Sequence, residues 1–229
     1  YLQKKNIPWE SAIAKGANMR VFRLIRSKLD EANLSIGKER GEAPDARGTG
    51  RRFSHVMAIA PNASSSIIMG NTSPSIEPYR ANAYRQDTLS GAYLNKNKHL
   101  DGIIKNKVSS SDEVNYDEIW SSIISNDGSV QHLDILNEQE KSVYKTAMEI
   151  DQRWLIELGA DRQAFIDQSQ SLNLFFRPDA NIKYLHAAHY LAWKQGLKTL
   201  YYCRSEKLGK ADKVSKRIER QAIKEIDFQ

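Results

Sequence analysis

The chain has 229 residues, of which 40% are hydrophobic and 27% charged, a balance typical of a folded globular protein. No apolar run approaches the roughly 20 residues needed to cross a bilayer, and no signal-peptide pattern opens the sequence. A net charge of +6 favours an anionic partner, either a nucleic acid or the phosphates of a nucleotide. The single cysteine, Cys203, excludes an internal disulfide and a metal site built on several thiolates, and it fits a reducing cytoplasm.

The first part of the chain predicts a long amphipathic helix over residues 9–40, because apolar side chains recur there at three- and four-residue spacing. Gly41 and Pro44 predict its end. Residues 41–52 then form a glycine-rich, basic loop. The side chains of the apolar stripe are Ile13, Ala17, Val21, Leu24, Ile25, Leu29, Ala32 and Ile36.

Further along, short apolar runs alternate with helical patterns, which favours an α/β fold in one domain. We expect a buried strand at 55–60 ended by Pro61, and a serine-capped helix at 64–69. A hairpin follows at 79–94. Helices are expected at 97–106, 116–126, 137–146 and 151–158, the last closed by Gly159. We also expect a strand at 171–176, a helix at 182–195 capped by Gly196, and a last strand at 198–203. Residues 1–52, 53–203 and 204–229 are the expected parts of the domain, and the third is a charged tail or helix.

The loop at 61–66, Pro-Asn-Ala-Ser-Ser-Ser, lies between a predicted strand and a predicted helix. A helix N-terminus offers free N–H groups and a partial positive charge, so it can bind a phosphate without a cationic side chain. The serine hydroxyls could add donors. A plain capped turn explains the same composition, and the loop lacks the lysine of a Walker A motif.

Tyr201 and Tyr202 are neighbours on the last predicted strand, so we expect their rings on opposite faces. Two buried core tyrosines, each with a hydrogen-bond partner, are one interpretation. A redox pair is the other, because phenols oxidise far more readily than aliphatic side chains and can relay an electron and a proton. We expect Cys203 to be a small buried residue rather than a reactive thiol.

Four segments, in this order, resemble landmarks of the large, catalytic subunit of class I ribonucleotide reductase. Residues 61–66 resemble the loop that holds the substrate diphosphate, and 75–78 (Ser-Ile-Glu-Pro) resemble the Gly-Ile-Glu-Pro that follows it. Residues 165–171 (Phe-Ile-Asp-Gln-Ser-Gln-Ser) resemble the segment before a barrel strand. Residues 196–202 resemble the final strand with its radical-relay tyrosines, and the resemblance weakens after Arg204.

This resemblance implies the C-terminal part of a ten-stranded α/β barrel that surrounds a finger loop. It also implies removal of the 2′-hydroxyl of ribonucleoside diphosphates by a cysteine thiyl radical, which supplies deoxyribonucleotides for DNA replication. Tyr202 would be the outer relay tyrosine and Tyr201 would pass the hole on toward the thiyl cysteine. The diphosphate would be gripped by Asn62, Ala63, Ser64 and Ser65. The loop and the tyrosines would then share a cavity.

The resemblance also implies partners. These are the N-terminal part of the large subunit, a small subunit that holds the metal-radical cofactor, and a thioredoxin- or glutaredoxin-type reductant. This chain itself would bind no cofactor. Asn62 departs from the family's serine or threonine, and the family's reactive cysteines have no counterpart in this sequence. We therefore expect the chain alone to be inactive.

A non-catalytic, basic nucleic-acid-binding domain is the alternative. It would use the positive charge, Arg51, Arg52 and the basic terminal segment. No recognised binding motif and no aromatic platform accompany these basic residues.

Overall fold

The computed structural model describes residues 1–70, 72–88, 91–110 and 115–205. Residues 89–90, at the tip of the predicted hairpin, and 206–229, most of the predicted charged tail, lie outside the described residues. The helices are α1 Ala12–Arg40, α2 Ala63–Ile68, α3 Lys98–Val108, α4 Tyr116–Ser125, α5 Glu138–Val143, α6 Gln152–Gln163 and α7 Ile182–Lys194. The strands are β1 Ala83–Thr88, β2 Gly91–Lys96, β3 Leu174–Phe176 and β4 Cys203–Ser205. None of the helices in these ranges is both long and apolar enough to cross a membrane.

Helix α1 begins three residues later than predicted, because Ser11 caps it: the Ser11 hydroxyl oxygen accepts a hydrogen bond from the Ala14 N–H. Gly41 ends the helix at a positive φ of 81°, as predicted. Most of the predicted apolar stripe is wrong as a buried face, since Val21 and Leu24 are among its exposed side chains. Helix α1 packs against α6. Its buried residues, which are offset from the predicted stripe, are Ala14, Ala17, Phe22, Asn33 and Gly37.

The basic loop folds back onto α1. The Asn33 side chain donates to the Phe53 carbonyl and accepts from the Phe53 N–H, each at 2.8 Å. Gly37 allows this close approach, because a Cβ there would lie only 2.0 Å from the Gly50 carbonyl oxygen. The loop at 41–52 is therefore anchored at its end by a buried amide.

The hairpin and the helices after it form one core cluster. Strands β1 and β2 pair antiparallel, with Ala83 opposite Lys96, which confirms the predicted hairpin. Helix α5 ends at Val143, earlier than the predicted 146. The buried members of this cluster are Ala83, Leu100, Ile104, Ile119, Trp120, Ile123, Val130, Leu133, Leu136, Val143 and Tyr144.

Helix α6 continues to Gln163, so the predicted closure at Gly159 is wrong. Gly159 is needed for packing instead: a Cβ there would come within 3.0 Å of a Leu172 methyl carbon and 3.4 Å of a Leu197 methyl carbon. Helix α7 ends as predicted, with Gly196 at φ 78° directly after its C-cap. The second core cluster lies between α6, β3 and α7 and contains Ile156, Leu172, Leu174, Phe176, Ala188, Ala192 and Leu197.

The predicted strand at 55–60 is wrong as a regular strand, because among the described residues it forms a single isolated parallel bridge, from Ile59 to Gln170. The last strand is shifted, since β4 begins at Cys203 rather than at 198. Strand β3 is also shorter than the predicted 171–176. The segments nevertheless run side by side as extended backbone, as their hydrogen bonds show below.

Candidate functional site

A central extended segment, residues 168–176, lies between the loop and the tyrosines. On one edge, the Ile59 N–H donates to the Ser169 carbonyl and the Ser171 N–H donates to the Ile59 carbonyl. On the other edge, the Tyr201 N–H donates to the Leu172 carbonyl and the Leu174 N–H donates to the Tyr202 carbonyl. Odd- and even-numbered residues of an extended strand direct their backbone groups to opposite edges. The two outer segments are thus about 10 Å apart, two strand spacings, at a similar level along the central segment.

The loop at 61–66 leaves the first outer segment and enters α2. Ala63, Ser64 and Ser65 precede the first intrahelical bond, which the Ser66 N–H makes to the Asn62 carbonyl. Their side chains and that of Asn62 are exposed. The predicted serine cap is wrong, because Asn62 is the N-cap and its amide donates to the Ala60 carbonyl instead of capping the helix.

Ser66 differs from the three residues before it. It is buried, its hydroxyl donates to the Ala63 carbonyl at 2.7 Å, and its own carbonyl accepts from the Thr72 N–H. Ser66 therefore holds the loop together, while Ser64 and Ser65 present their hydroxyls outward. A cavity of about 520 Å³ adjoins this turn and is lined by Ala63, Ser66, Ile67 and Thr72 among others. Tyr201 and Tyr202 do not line it.

The tyrosine pair departs from the prediction in two respects. Tyr201 and Tyr202 precede β4, and both side chains are about half exposed, at 47% and 51%. Their rings lie on the same side rather than on opposite faces, with centroids 4.1 Å apart and planes inclined at 52°. Interaction with the adjacent Tyr202 phenol raises the pKa of Tyr201 above its usual value. Cys203 is exposed rather than buried. The two phenols thus form a contacting, accessible pair.

Two buried residues that were given no role from sequence connect the loop side to this pair. The carboxylate of Glu77 accepts a hydrogen bond of 2.7 Å from the Asn173 amide, and the Asn173 side-chain oxygen accepts from the Tyr202 N–H at 3.1 Å. Burial raises the pKa of Glu77, although Asn173 and the charges of Arg204 and Arg80 act in the opposite direction. The Arg204 guanidinium carbon lies 5.0 Å from the centre of the Tyr202 ring.

Asp167 anchors the segment that leads into the loop. One oxygen accepts from the N–H groups of Val56 and Met57, at 2.8 and 3.1 Å, and the other pairs with Arg26 of α1 at 2.6 Å. Partial burial would raise the pKa of Asp167, but these partners outweigh it and lower the pKa. The sequence signal for Asp167 and Glu77 was their place inside the motifs at 165–171 and 75–78.

Among the residues that the structure describes, no group of three or more His, Cys, Asp or Glu could hold a metal ion. The acidic and amide groups near the tyrosines are instead engaged with each other and with the backbone, as described above.

Comparison with known proteins identifies the family. The sequence model described as "Ribonucleotide reductase, barrel domain" matches residues 43–203. The chain belongs to the ribonucleotide reductase family. The large subunit of ribonucleoside-diphosphate reductase from Invertebrate iridescent virus 6 is 58% identical over 217 residues, and that from Invertebrate iridescent virus 3 is 56% identical over 214. These matches confirm the resemblance to the large subunit.

The same fold occurs in a solved ribonucleotide reductase. The class Id ribonucleotide reductase alpha subunit of Actinobacillus ureae matches with a TM-score of 0.81 and 38% identity over 90% of this chain, which confirms the predicted α/β barrel class. The chain spans 22% and 34% of the two viral relatives and 37% of the solved chain. It therefore corresponds to a minor part of each.

Proposed function

We propose that this chain forms part of a ribonucleoside-diphosphate reductase that converts ribonucleoside diphosphates to deoxyribonucleoside diphosphates by a thiyl-radical mechanism. The observation that carries the proposal is the central segment at 168–176, which pairs on one edge with the strand leading to the loop and on the other with the tyrosines. A rigid strand between the two features holds them at a fixed separation, which a reaction joining phosphate binding to radical delivery requires.

In this proposal the substrate diphosphate binds at the start of α2. The N–H groups of Ala63, Ser64 and Ser65 precede the first helical bond and point out of the helix end, where they can donate to phosphate oxygens. The exposed hydroxyls of Ser64 and Ser65 and the amide of Asn62 add side-chain donors. This arrangement supplies hydrogen bonds to an anion without a lysine in the loop.

Tyr202 and Tyr201 carry the oxidising equivalent in the proposal. Ring contact at 4.1 Å between centroids allows a short electron transfer from one phenol to the other. Exposure of both rings leaves them open to a partner that delivers the radical. Tyr202 is the outer member and Tyr201 the inner.

The remaining parts come from other polypeptides in this proposal. The N-terminal part of the large subunit supplies the reactive cysteines, the small subunit supplies the metal-radical cofactor, and a thioredoxin- or glutaredoxin-type protein supplies the two electrons that the reduction consumes. The uncovered apolar side chains of α1, including Ile13, Val21, Leu24 and Ile25, support packing against such a further part. The chain alone is then inactive. A reducing cytoplasm and the three-part division at 52 and 203 stay predictions.

The nucleic-acid-binding alternative is not favoured. Arg51, one of its two loop arginines, lies 3.5 Å from Asp30 of α1 and is thus engaged in an ion pair. The basic terminal segment lies outside the described residues. Affinity for DNA or RNA above that for nucleoside diphosphates, with a steep dependence on salt, would revive it.

The test is replacement of each relay tyrosine by phenylalanine in the complete large subunit assembled with its small subunit. Because phenylalanine has no oxidisable phenol, Tyr201→Phe and Tyr202→Phe should each lower turnover at least about a thousandfold. Nucleoside diphosphate affinity should stay within about twofold of the parent.

Tyr93→Phe is the matched control, since Tyr93 of β2 is exposed to a similar degree and lies outside the pair. It should leave turnover unchanged. Parental turnover in either relay variant would overturn the relay role.

A further inference from the structure

We infer that Glu77 and Asn173 are positioning residues for Tyr202: a buried carboxylate fixes an amide, and the amide fixes the backbone of the outer relay tyrosine. This inference rests on the proposed relay function and names residues of this chain that would support it. The observation behind it is the continuous pair of hydrogen bonds from Glu77 through Asn173 to the Tyr202 N–H.

The hydrogen-bond chain has one possible orientation. A carboxylate only accepts hydrogen bonds, so Asn173 must turn its NH₂ group toward Glu77 and its oxygen toward the Tyr202 N–H. A flipped amide would place two acceptors together and two donors together. Both side chains are almost fully buried, at 3% and 5% exposure, so water cannot replace the lost bonds at low cost.

The backbone of Tyr202 is hydrogen-bonded on both sides of its Cα. Its N–H donates to Asn173, and its carbonyl accepts from the Leu174 N–H at 2.9 Å. The Tyr202 side chain is about half exposed, so the position of its ring depends on where the backbone places the Cα. Since the transfer between Tyr202 and Tyr201 depends on the contact of their rings, a shift of this backbone would alter the transfer itself.

The charge of Glu77 acts on a second neighbour of the ring. Arg204 lies over the Tyr202 ring and its charge lowers the pKa of Glu77, so the carboxylate and the guanidinium attract each other. The Arg204 Nε is buried and has no hydrogen-bond partner among the described residues. The guanidinium thus contacts the ring and is attracted to the Glu77 carboxylate, so Glu77 acts on Tyr202 through Arg204 as well as through Asn173.

The decisive variants exchange donor and acceptor between the two positions. Asn173→Asp keeps an acceptor for the Tyr202 N–H but sets two carboxylates against each other. Adding Glu77→Gln restores the bond with reversed polarity, because the glutamine amide can donate to the new aspartate. Glu77→Gln alone keeps an acceptor for Asn173 and is the conservative variant.

Two readouts are measured in the complete large subunit with its small subunit, for equal amounts of folded protein. One is turnover. The other is the yield of radical, by electron paramagnetic resonance, at an easily oxidised tyrosine analogue placed at position 202. In N173D both should fall about tenfold or more, and in E77Q/N173D both should return to within about threefold of the parent. E77Q alone should also stay within about threefold.

Asn82 supplies the control for loss of a buried amide. It is equally buried and donates to the carbonyls of Gly128 and Tyr144, and Tyr144 belongs to the first core cluster. Asn82→Asp should lower stability but leave the radical yield at position 202 unchanged per folded molecule. If N173D does not fold, Glu77→Leu replaces it, because leucine removes the acceptor for Asn173 without adding a charge. In that variant turnover and radical yield should each fall at least about tenfold.

A parental radical yield in N173D, or in Glu77→Leu where it replaces N173D, would overturn the inference. So would a folded E77Q/N173D protein without recovery. Failure of the proposed function has a different signature: the parent itself would form no radical at position 202, and Tyr202→Phe would turn over normally. That result would remove the relay and this inference with it.

Discussion

The central segment at 168–176 differs in burial from the two segments that flank it, the loop at 61–66 and the tyrosine pair. Leu174 of the central segment is 1% exposed and belongs to the core between α6 and α7. Every side chain proposed to act on substrate or radical lies on the flanks and is exposed: those of Asn62, Ser64 and Ser65 at the loop, and Tyr201 and Tyr202 at the pair. Stability and chemistry are thus assigned to different residues, and substitutions should separate them.

The two flanks also differ from each other. The loop offers backbone N–H groups and short hydroxyls, which any small residue at the same backbone position partly reproduces. The tyrosine pair depends on the phenol side chain itself. Loss of one side chain at the loop should therefore weaken substrate binding only partly. Loss of a phenol at the pair should abolish almost all turnover.

Leu174→Ala should give the largest change in stability. Removing a fully buried side chain next to Leu172 and Phe176 should lower the free energy of unfolding by about 2–5 kcal/mol. Denaturant unfolding of this chain measures it, with Tyr202→Phe as the exposed comparison, where a change within about 0.5 kcal/mol is expected. Equal losses in the two variants would contradict the division between centre and flanks.

Asp167→Asn should come next and should carry a pH signature. Because the folded-state pKa of Asp167 is lowered, its stabilising contribution is present above the ordinary pKa near 4 and disappears as the pH falls through the folded-state pKa. The variant should be about 1–3 kcal/mol less stable at neutral pH. That deficit should shrink at acidic pH.

Unfolding measured from neutral pH down to about pH 3 tests this prediction. Asp45→Asn is the control, since Asp45 is an exposed acidic residue of the basic loop. A deficit for Asp167→Asn that stays constant with pH would show that the carboxylate charge is not what stabilises the segment before the loop.

Ser64→Ala and Ser65→Ala sharpen the difference between the flanks. Each should weaken nucleoside diphosphate binding in the complete enzyme by about 1–2 kcal/mol, since each removes one hydroxyl donor to a charged group and leaves the backbone donors in place. Turnover at saturating substrate should hold. A fall in turnover with unchanged KM would place these serines in the chemistry instead of in phosphate binding.

Cys203→Ser should have the smallest effect. The thiol is exposed, directly follows the tyrosine pair and lies at the start of β4. Turnover and the unfolding midpoint should both match the parent, because neither the core nor the proposed relay uses this sulfur. A marked loss of turnover would give the thiol a role that its position in the fold does not explain.

The helices were largely predictable from local signals. Gly41 and Gly196 mark their helix ends because each adopts a positive φ that other residues resist. Gly159 misled the prediction, because its role is to let Leu172 and Leu197 approach α6, and only the packed structure shows those neighbours. The apolar stripe of α1 misled it too, since periodicity cannot tell which side of a helix the rest of the molecule will cover.

The sequence by itself determined the family and the positions of the loop and the tyrosine pair, because the motifs can be recognised from their residues and their order along the chain. Tertiary structure alone decided that both tyrosine rings lie on one side, that Glu77 bonds to Asn173 and Asn173 to the Tyr202 N–H, and that residues 168–176 join the two flanks. The physical reason is distance along the chain: Glu77 and Asn173 are 96 residues apart, and only folding brings a buried carboxylate to the amide that satisfies it.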